Sequence, residues 1–394
     1  MNLLFIGPFC PAERQDYIKE ISSFFDYPAN VLESGLICGF DSLMHVGIVS
    51  SLKLVTRKIF VPEYRFYHST STAFEDVVLS YYNIPFCDKF FNDKRKIKEV
   101  KKQGFQPDII FVYSSRLEDL KAASLVKRKY PKAVSLVMIT DLAQFMRNSP
   151  GFVYKLLKAY EKKQCDKYMH RGIDGFILLS DHMKEHLPIG NKPYIVVEGI
   201  FHPEDNSSHV VEKAEEKVIM YSGNLDSRYG LLDLLNAFSL INDENYRLWI
   251  CGVGNTDNVF KEASIKDSRV VYMGALHRSK VLELQKKATL LVNPRHSSES
   301  YTKYSFPSKT MEFMASGTPT LMSPLLSLPA DYKKNVYLFD DESVSGMART
   351  MQAICNKPKA ELNIFGRQAS EFILKNKTAN MQCKRIVDFA LSLK

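Results

Sequence analysis

The run Tyr304-Ser305-Phe306-Pro307-Ser308-Lys309-Thr310-Met311-Glu312-Phe313-Met314-Ala315-Ser316-Gly317-Thr318-Pro319 reads as a short helix whose start is built to hold an anion. Pro307 suits the first helical position, where its missing N–H costs nothing, and Gly317 suits the left-handed residue that ends a helix. About three turns fit between them. Met311, Met314 and Ala315 fall at helical spacing and would pack inward, while Ser308, Glu312 and Ser316 share a polar face. The first-turn N–H groups of Ser308, Lys309 and Thr310 lack partners within the helix, and the macrodipole adds positive charge there. Lys309 adds a full charge, so a phosphate fits. Glu312 lies one residue past the capping-box position at Met311, and a ribose diol is a suitable partner for it. An ordinary surface helix with a proline start and a glycine stop has the same features, so this stretch alone leaves both readings open.

The rest of the chain sets the frame. Its 394 residues exceed the size at which one core keeps growing, so two domains of about 200 residues are expected. A composition of 45% hydrophobic and 25% charged residues is that of a globular protein and excludes a disordered one. No apolar run approaches the roughly 20 residues of a membrane-spanning helix, and no secretory signal with a cleavage site is present. The seven cysteines are scattered and never spaced as C-x-x-C, which favours free thiols in a reducing cytoplasm and gives no zinc site. His182 and His186 sit four apart without a third ligand, and no aspartate-x-aspartate motif appears, so no metal site is expected.

Short apolar runs alternate with helical segments, the pattern of parallel sheets with crossover helices. In the first half the strand candidates are Leu3–Ile6, Ile109–Tyr113, Ser135–Ile139, Gly175–Leu179 and Tyr194–Val197. In the second they are Val218–Tyr221, Tyr246–Cys251, Val270–Tyr272, Leu290–Val292, Thr320–Leu321 and Val336–Phe339. The polar stretch His202–Glu215 reads as a hinge. The expected organisation is α/β: a doubly wound, Rossmann-like domain over 1–201, a linker over 202–215, a second such domain over 216–379, and a terminal segment, 380–394. Ligands of such sheets bind beyond the carboxyl ends of the strands, so two facing domains would share one cleft.

Charge is uneven. Residues 51–171 carry 24 lysines and arginines against 12 acids, whereas residues 1–50 carry 2 against 6. The segment Phe152–Arg171 combines Lys155, Lys158, Lys162, Lys163 and Lys167 with Phe152, Val153, Tyr154, Leu156, Leu157 and Tyr160. It reads either as a helix lying on an anionic membrane surface or as a solvated charged helix. Nucleic acid is a poorer explanation of the basic balance, since no zinc-finger, helix-turn-helix or RNP signature accompanies it.

The run Phe306-Pro307-Ser308-Lys309, followed by Glu312, Ala315, Ser316, Gly317 and Pro319 after a one-residue gap, resembles the sugar-nucleotide helix of family 4 glycosyltransferases. Further matches fall in the order of that family: Gly7 after the first strand, Asp141, Val197-Glu198-Gly199, Gly223-Asn224, Gly252-Val253-Gly254, Gly274 and Asn293-Pro294-Arg295. The resemblance is closest to bacterial enzymes of capsular, exopolysaccharide and O-antigen synthesis.

The resemblance implies a GT-B fold, with the acceptor on the N-terminal domain, the nucleotide sugar on the C-terminal one, and a last helix crossing back to the first domain. It further implies a retaining, metal-independent sugar transfer from a nucleotide sugar, most simply a UDP-sugar, with no tightly bound cofactor. The acceptor would be an oligosaccharide or lipid-linked glycan, and the enzyme would be cytoplasmic or peripheral on the inner membrane face. Lys309 and Arg228 would face the departing diphosphate, with Gly223 and Asn224 giving a close backbone approach. Glu312 would bind the ribose, and Gly252, Gly274 and Leu276 would lie along the nucleotide. Asn293, Arg295, Tyr304, Ser305, Phe306, Pro307 and Ser308 would complete the donor site, with Gly7 near the phosphate or acceptor. Asp141 would deprotonate the acceptor hydroxyl or orient the sugar, and a helix N-cap is an equal reading of it.

This sequence departs from the family at three positions. Asn224 and Tyr229 stand where an arginine and a lysine are common, and Tyr304 stands where a glutamate contacts the donor sugar. Two other readings therefore remain: a catalytically silent partner or scaffold of another transferase, and a sugar-nucleotide epimerase of the same fold.

Overall fold

Strands that are apolar along their whole length need cover on both faces, and this chain supplies it with helices in both halves. The computed structural model describes residues 1–69, 74–82, 87–142, 152–201 and 211–394, with residues 87–91 and 152–157 as backbone only. The chain divides into two units, Met1–Ile200 with Ala379–Lys394, and Phe201–Thr378.

The first unit carries β1 (Asn2–Gly7), β2 (His45–Ser50), β3 (Phe60–Val61), β4 (Tyr64–Phe66), β5 (Asp76–Val78), β6 (Tyr81–Tyr82), β7 (Ile109–Tyr113), β8 (Val134–Ile139), β9 (Gly175–Leu178) and β10 (Tyr194–Val196). Among the described residues, eight of these form one sheet in the order β10-β9-β8-β7-β1-β2-β5-β4, parallel except where β4 meets β5, and β3 pairs with β6. β1 lies between β2 and β7. Its Phe5 joins Phe40 and Leu36 of the helix Tyr27–Asp41, and Cys383, Ile386 and Ala390 of the helix Ala379–Ser392, in one buried core. The two helices touch closely, since a Cβ on Gly39 would sit 2.6 Å from Cys383 Sγ.

The second unit carries β11 (Lys217–Ser222), β12 (Tyr246–Cys251), β13 (Val270–Gly274), β14 (Leu290–Asn293), β15 (Thr320–Met322) and β16 (Tyr337–Leu338). They form a parallel sheet in the order β13-β12-β11-β14-β15-β16. The chain builds outward from β11 to β13, then returns to the other side of β11 with β14. That reversal opens a crevice beyond the carboxyl ends of β11 and β14, the place where doubly wound sheets take ligands.

Several expectations are corrected. The helix expected to hold an anion spans only Lys309–Ala315, seven residues, with Pro307 ahead of the N-cap Ser308. The start is wound tighter than an α-helix: Thr310 N–H donates to the Pro307 carbonyl at 2.8 Å and Met311 N–H to that of Ser308 at 3.1 Å. Gly317 ends it with φ of 78°. Strands β2 to β6 were not expected. Of the expected linker, 202–210 lies outside the described residues, while Lys213 is tied to the second unit through the Ala288 carbonyl and the Thr318 hydroxyl. His182 and His186 lie in a 3-10 helix, with His182 paired to Glu185 at 3.0 Å.

Candidate functional site

The loops that leave β11, β12 and β13 are held together by backbone. Gly252 N–H donates to the Gly274 carbonyl at 2.8 Å, and Gly223 N–H to the Cys251 carbonyl at 2.9 Å. Gly252 has φ of 137°, and a Cβ there would stand 1.8 Å from the Gly223 carbonyl oxygen, so no side chain fits. These loops, the helix Arg278–Lys287 and the helix Lys309–Ala315 enclose a cavity of about 680 Å³. It is lined by Ser222, Gly223, Asn224, Cys251, Gly252, Val253, Gly254, Ala275, Leu276, Arg278, Val281, Leu282, Lys309 and Glu312.

Glu312 is the centre of its polar wall. Oε1 accepts from Gln285 Nε2 at 2.7 Å and from Lys309 Nζ at 3.0 Å, and Oε2 pairs with Arg278 at 3.2 Å. Burial pushes the carboxyl pKa up, but Lys309, Gln285 and Arg278 together outweigh it and hold it below the usual 4.5. Glu312 is therefore ionised at neutral pH. A carboxylate offers about four acceptor sites, and three are taken, so a diol would displace one partner. Arg278, with 52% of its side chain exposed, is the partner that moves most cheaply. Gln285 is fully buried and also donates to Ser222 Oγ at 2.9 Å, which fixes the helix Arg278–Lys287 against β11. The sequence reading did not single out Gln285. A glutamine beside Val281 and Leu284 on an inward helix face was the available signal.

The structure thus brings Gly223, Asn224, Gly252, Leu276, Lys309 and Glu312 around one cavity, and adds Arg278 and Gln285. Gly274 sits at the end of β13 with its carbonyl turned to Gly252. The other residues named for the donor lie outside the lining. Asn293 is buried and reaches Thr310 Oγ1 at 3.3 Å. Phe306 and Pro307 are buried, with Phe306 packed 5.1 Å from Tyr332, while Ser305 and Tyr304 are half-buried and Ser308 is exposed. Arg228 is 59% exposed and clasped by Asp226 at 3.0 and 2.8 Å. Arg295 sits over Tyr229, its Cζ 4.1 Å from the ring centroid.

Gly7 and Asp141 belong to the first unit, at the carboxyl ends of β1 and β8. A Cβ on Gly7 would stand 2.7 Å from Oε1 of Glu33, a fully buried carboxyl that burial holds well above its usual range. Asp141 reaches solvent with part of its side chain. Its pKa is raised first by desolvation and then by the Asp26 carboxylate, against a hydrogen bond with Thr140. Among the described residues no cluster of three or more histidine, cysteine or acidic side chains is arranged to hold a metal ion.

Residues 216–357 match a family model described as glycosyl transferases group 1. No curated protein matches the sequence significantly. Among solved structures, HepE of Anabaena in complex with UDP superposes with a TM-score of 0.66 at 11% identity, covering 100% of both chains. The lipopolysaccharide outer core galactosyltransferase WaaB gives 0.64 at 16% identity, covering 100% of this chain and 99% of that one. The sucrose-phosphate synthase of Thermosynechococcus elongatus gives 0.59 at 12%, again over 100% and 99%. The fold is that of the GT-B glycosyltransferases. The cavity belongs to the unit that contains the matched segment 216–357, at the carboxyl ends of β11, β12 and β13.

Proposed function

We propose that the protein is a retaining glycosyltransferase similar to family 4, moving a hexose-type sugar from a nucleotide sugar to a glycan acceptor in bacterial surface polysaccharide synthesis. The observation that carries this reading is the largely buried Glu312 paired with Lys309 in the cavity beyond β11, β12 and β13, where its partners hold the carboxyl in the ionised form. The carboxylate suits the ribose hydroxyls, and the ammonium suits the charge that develops on the departing diphosphate. UDP is proposed as the nucleotide because a protein of this fold, HepE of Anabaena, holds it. Asp141 is proposed to take the acceptor hydroxyl proton, and its raised pKa suits a base.

The acceptor is proposed to be lipid-linked and met at the inner membrane face, with no metal ion required. Support is the basic helix Phe152–Gly172, in which Lys162, Lys163 and Lys167 project from the described part and Tyr160 is 57% exposed. No helix among the described residues is long and apolar enough to cross a membrane. The test is release of UDP from UDP-sugars with chelator present, with and without lipid-linked acceptor in anionic vesicles. Release should rise with acceptor and fall by at least about tenfold in Lys309→Ala, the size of one lost charge-assisted contact. Release that ignores the acceptor would favour an epimerase, and wild-type turnover in Lys309→Ala would remove the role given to that lysine.

A further inference from the structure

The helix Arg278–Lys287 lines the cavity, and it is pinned at both ends. At its start Arg278 pairs with Glu312 Oε2 at 3.2 Å. At its end the last carbonyls have no partner within the helix, and two residues from the stretch just before β11 supply them. Ala214 N–H donates to the Lys287 carbonyl at 3.0 Å, and Lys213 Nζ donates to that of Ala288 at 2.8 Å. An ammonium suits the negative end of the helix dipole.

Lys213 also donates to Thr318 Oγ1 at 2.7 Å. Thr318 is fully buried, one residue past the Gly317 that ends the helix Lys309–Ala315, and its hydroxyl proton goes to the Gln285 carbonyl at 2.8 Å. The side-chain amide of the same Gln285 donates to Glu312 Oε1 at 2.7 Å and to Ser222 Oγ at 2.9 Å. Lys213, Thr318, Gln285 and Glu312 therefore form one unbroken path, from a lysine outside the cavity lining to the carboxylate in its polar wall.

The chemistry of Lys213 sets it apart from a plain anchor. Among the described residues no carboxylate pairs with it, and burial of the ammonium alone pulls its pKa down to about 8. An uncompensated buried charge is costly, and an apolar side chain of similar length would fill the same space without that cost. What an apolar side chain cannot do is bridge the Ala288 carbonyl and the Thr318 hydroxyl, and so join the ends of the two helices whose residues meet at Glu312.

We propose that Lys213 is a positioning residue for the nucleotide site: acting through Thr318 and Gln285, it fixes the Glu312 carboxylate in the orientation that takes the ribose diol. The proposal rests on the donor reading above and adds to it a residue that orders the site from behind. Gln285 and Lys309 stay on Glu312 when the diol enters and Arg278 gives way, so the Gln285 side is the one that must be rigid beforehand.

The test is calorimetric binding of UDP and GDP, each beside its 2′-deoxy counterpart, to the wild type, Lys213→Met, Thr318→Val, Thr318→Ser and the double variant Lys213→Met/Thr318→Val, with melting temperatures measured alongside. Lys213→Met and Thr318→Val should each weaken the bound ribonucleotide by about three- to tenfold, and the double variant no further, since both cut the same path. The 2′-deoxy counterpart, which has no diol for Glu312 to take, should change little. Thr318→Ser keeps the hydroxyl and should restore the affinity lost in Thr318→Val. A lowered melting temperature with unchanged affinity in both single variants would make the lysine an anchor only and overturn the proposal, as would equal losses for the ribo and deoxy forms. If Lys213→Met does not fold, Thr318→Val and Thr318→Ser decide between the same outcomes. A wild type that binds dTDP alone offers no diol to orient and overturns the proposal. One that binds none of these nucleotides overturns the donor reading itself, an outcome that does not depend on residues 213 or 318.

Discussion

Glu312 is the residue on which the site turns, and its electrostatics can be tested without any ligand. Its pKa is depressed in the folded state, so the stabilisation it brings is present above the usual 4.5 and is lost as pH falls through the folded value. Glu312→Gln should lower the melting temperature at neutral pH, and the gap to the wild type should close in acid; a gap that is constant with pH would mean the carboxylate is not held by its partners as described. At this scale the sequence was informative where a residue type had one plausible use. Lys309 and Glu312 line the cavity that their helix suggested. Arg228 was not readable in the same way, because nothing in its own position announces that Asp226, two residues earlier, accepts both its Nε and NH2 donors.

Among the elements, long apolar strands were legible and short or interrupted ones were not. β7 and β12 match their expected spans, because Ile109–Tyr113 is bounded by Asp108 and Ser114 and Tyr246–Cys251 by Asn245 and Gly252. β2 is nearly as buried but carries Gly47 in its middle, which reads as a breaker. Its reason is tertiary: a Cβ there would lie 2.8 Å from the Phe74 ring. β3, β4, β5 and β6 are two or three residues long and have no periodicity to detect. The loop that leaves β12 is the element most sensitive to substitution. Gly252→Ala places a methyl against the Gly223 carbonyl in a backbone conformation that side chains avoid. It should destabilise the protein by about 2–4 kcal/mol in urea unfolding. A change below about 0.5 kcal/mol, the range of neutral surface substitutions, would contradict the interlocked loops.

For the molecule as a whole, the α/β class and a doubly wound sheet in each half followed from the alternation of apolar runs with helical segments. The terminal helix was the least local feature. Ala379–Ser392 packs in the first unit, with Cys383, Ile386, Val387 and Ala390 in a core whose remaining buried residues lie some 180 to 390 positions earlier in the chain, and such a contact leaves no periodic mark on the intervening sequence. The central claim is that the cavity beyond β11, β12 and β13 holds a nucleotide sugar through Glu312. Its most direct test is the thermal stabilisation of the purified protein by UDP, GDP, dTDP and their sugars, repeated on Glu312→Ala. The account predicts a selective rise with one nucleotide series, UDP by the reading above, that the substitution removes; no rise with any of them, or an equal rise in Glu312→Ala, would contradict it.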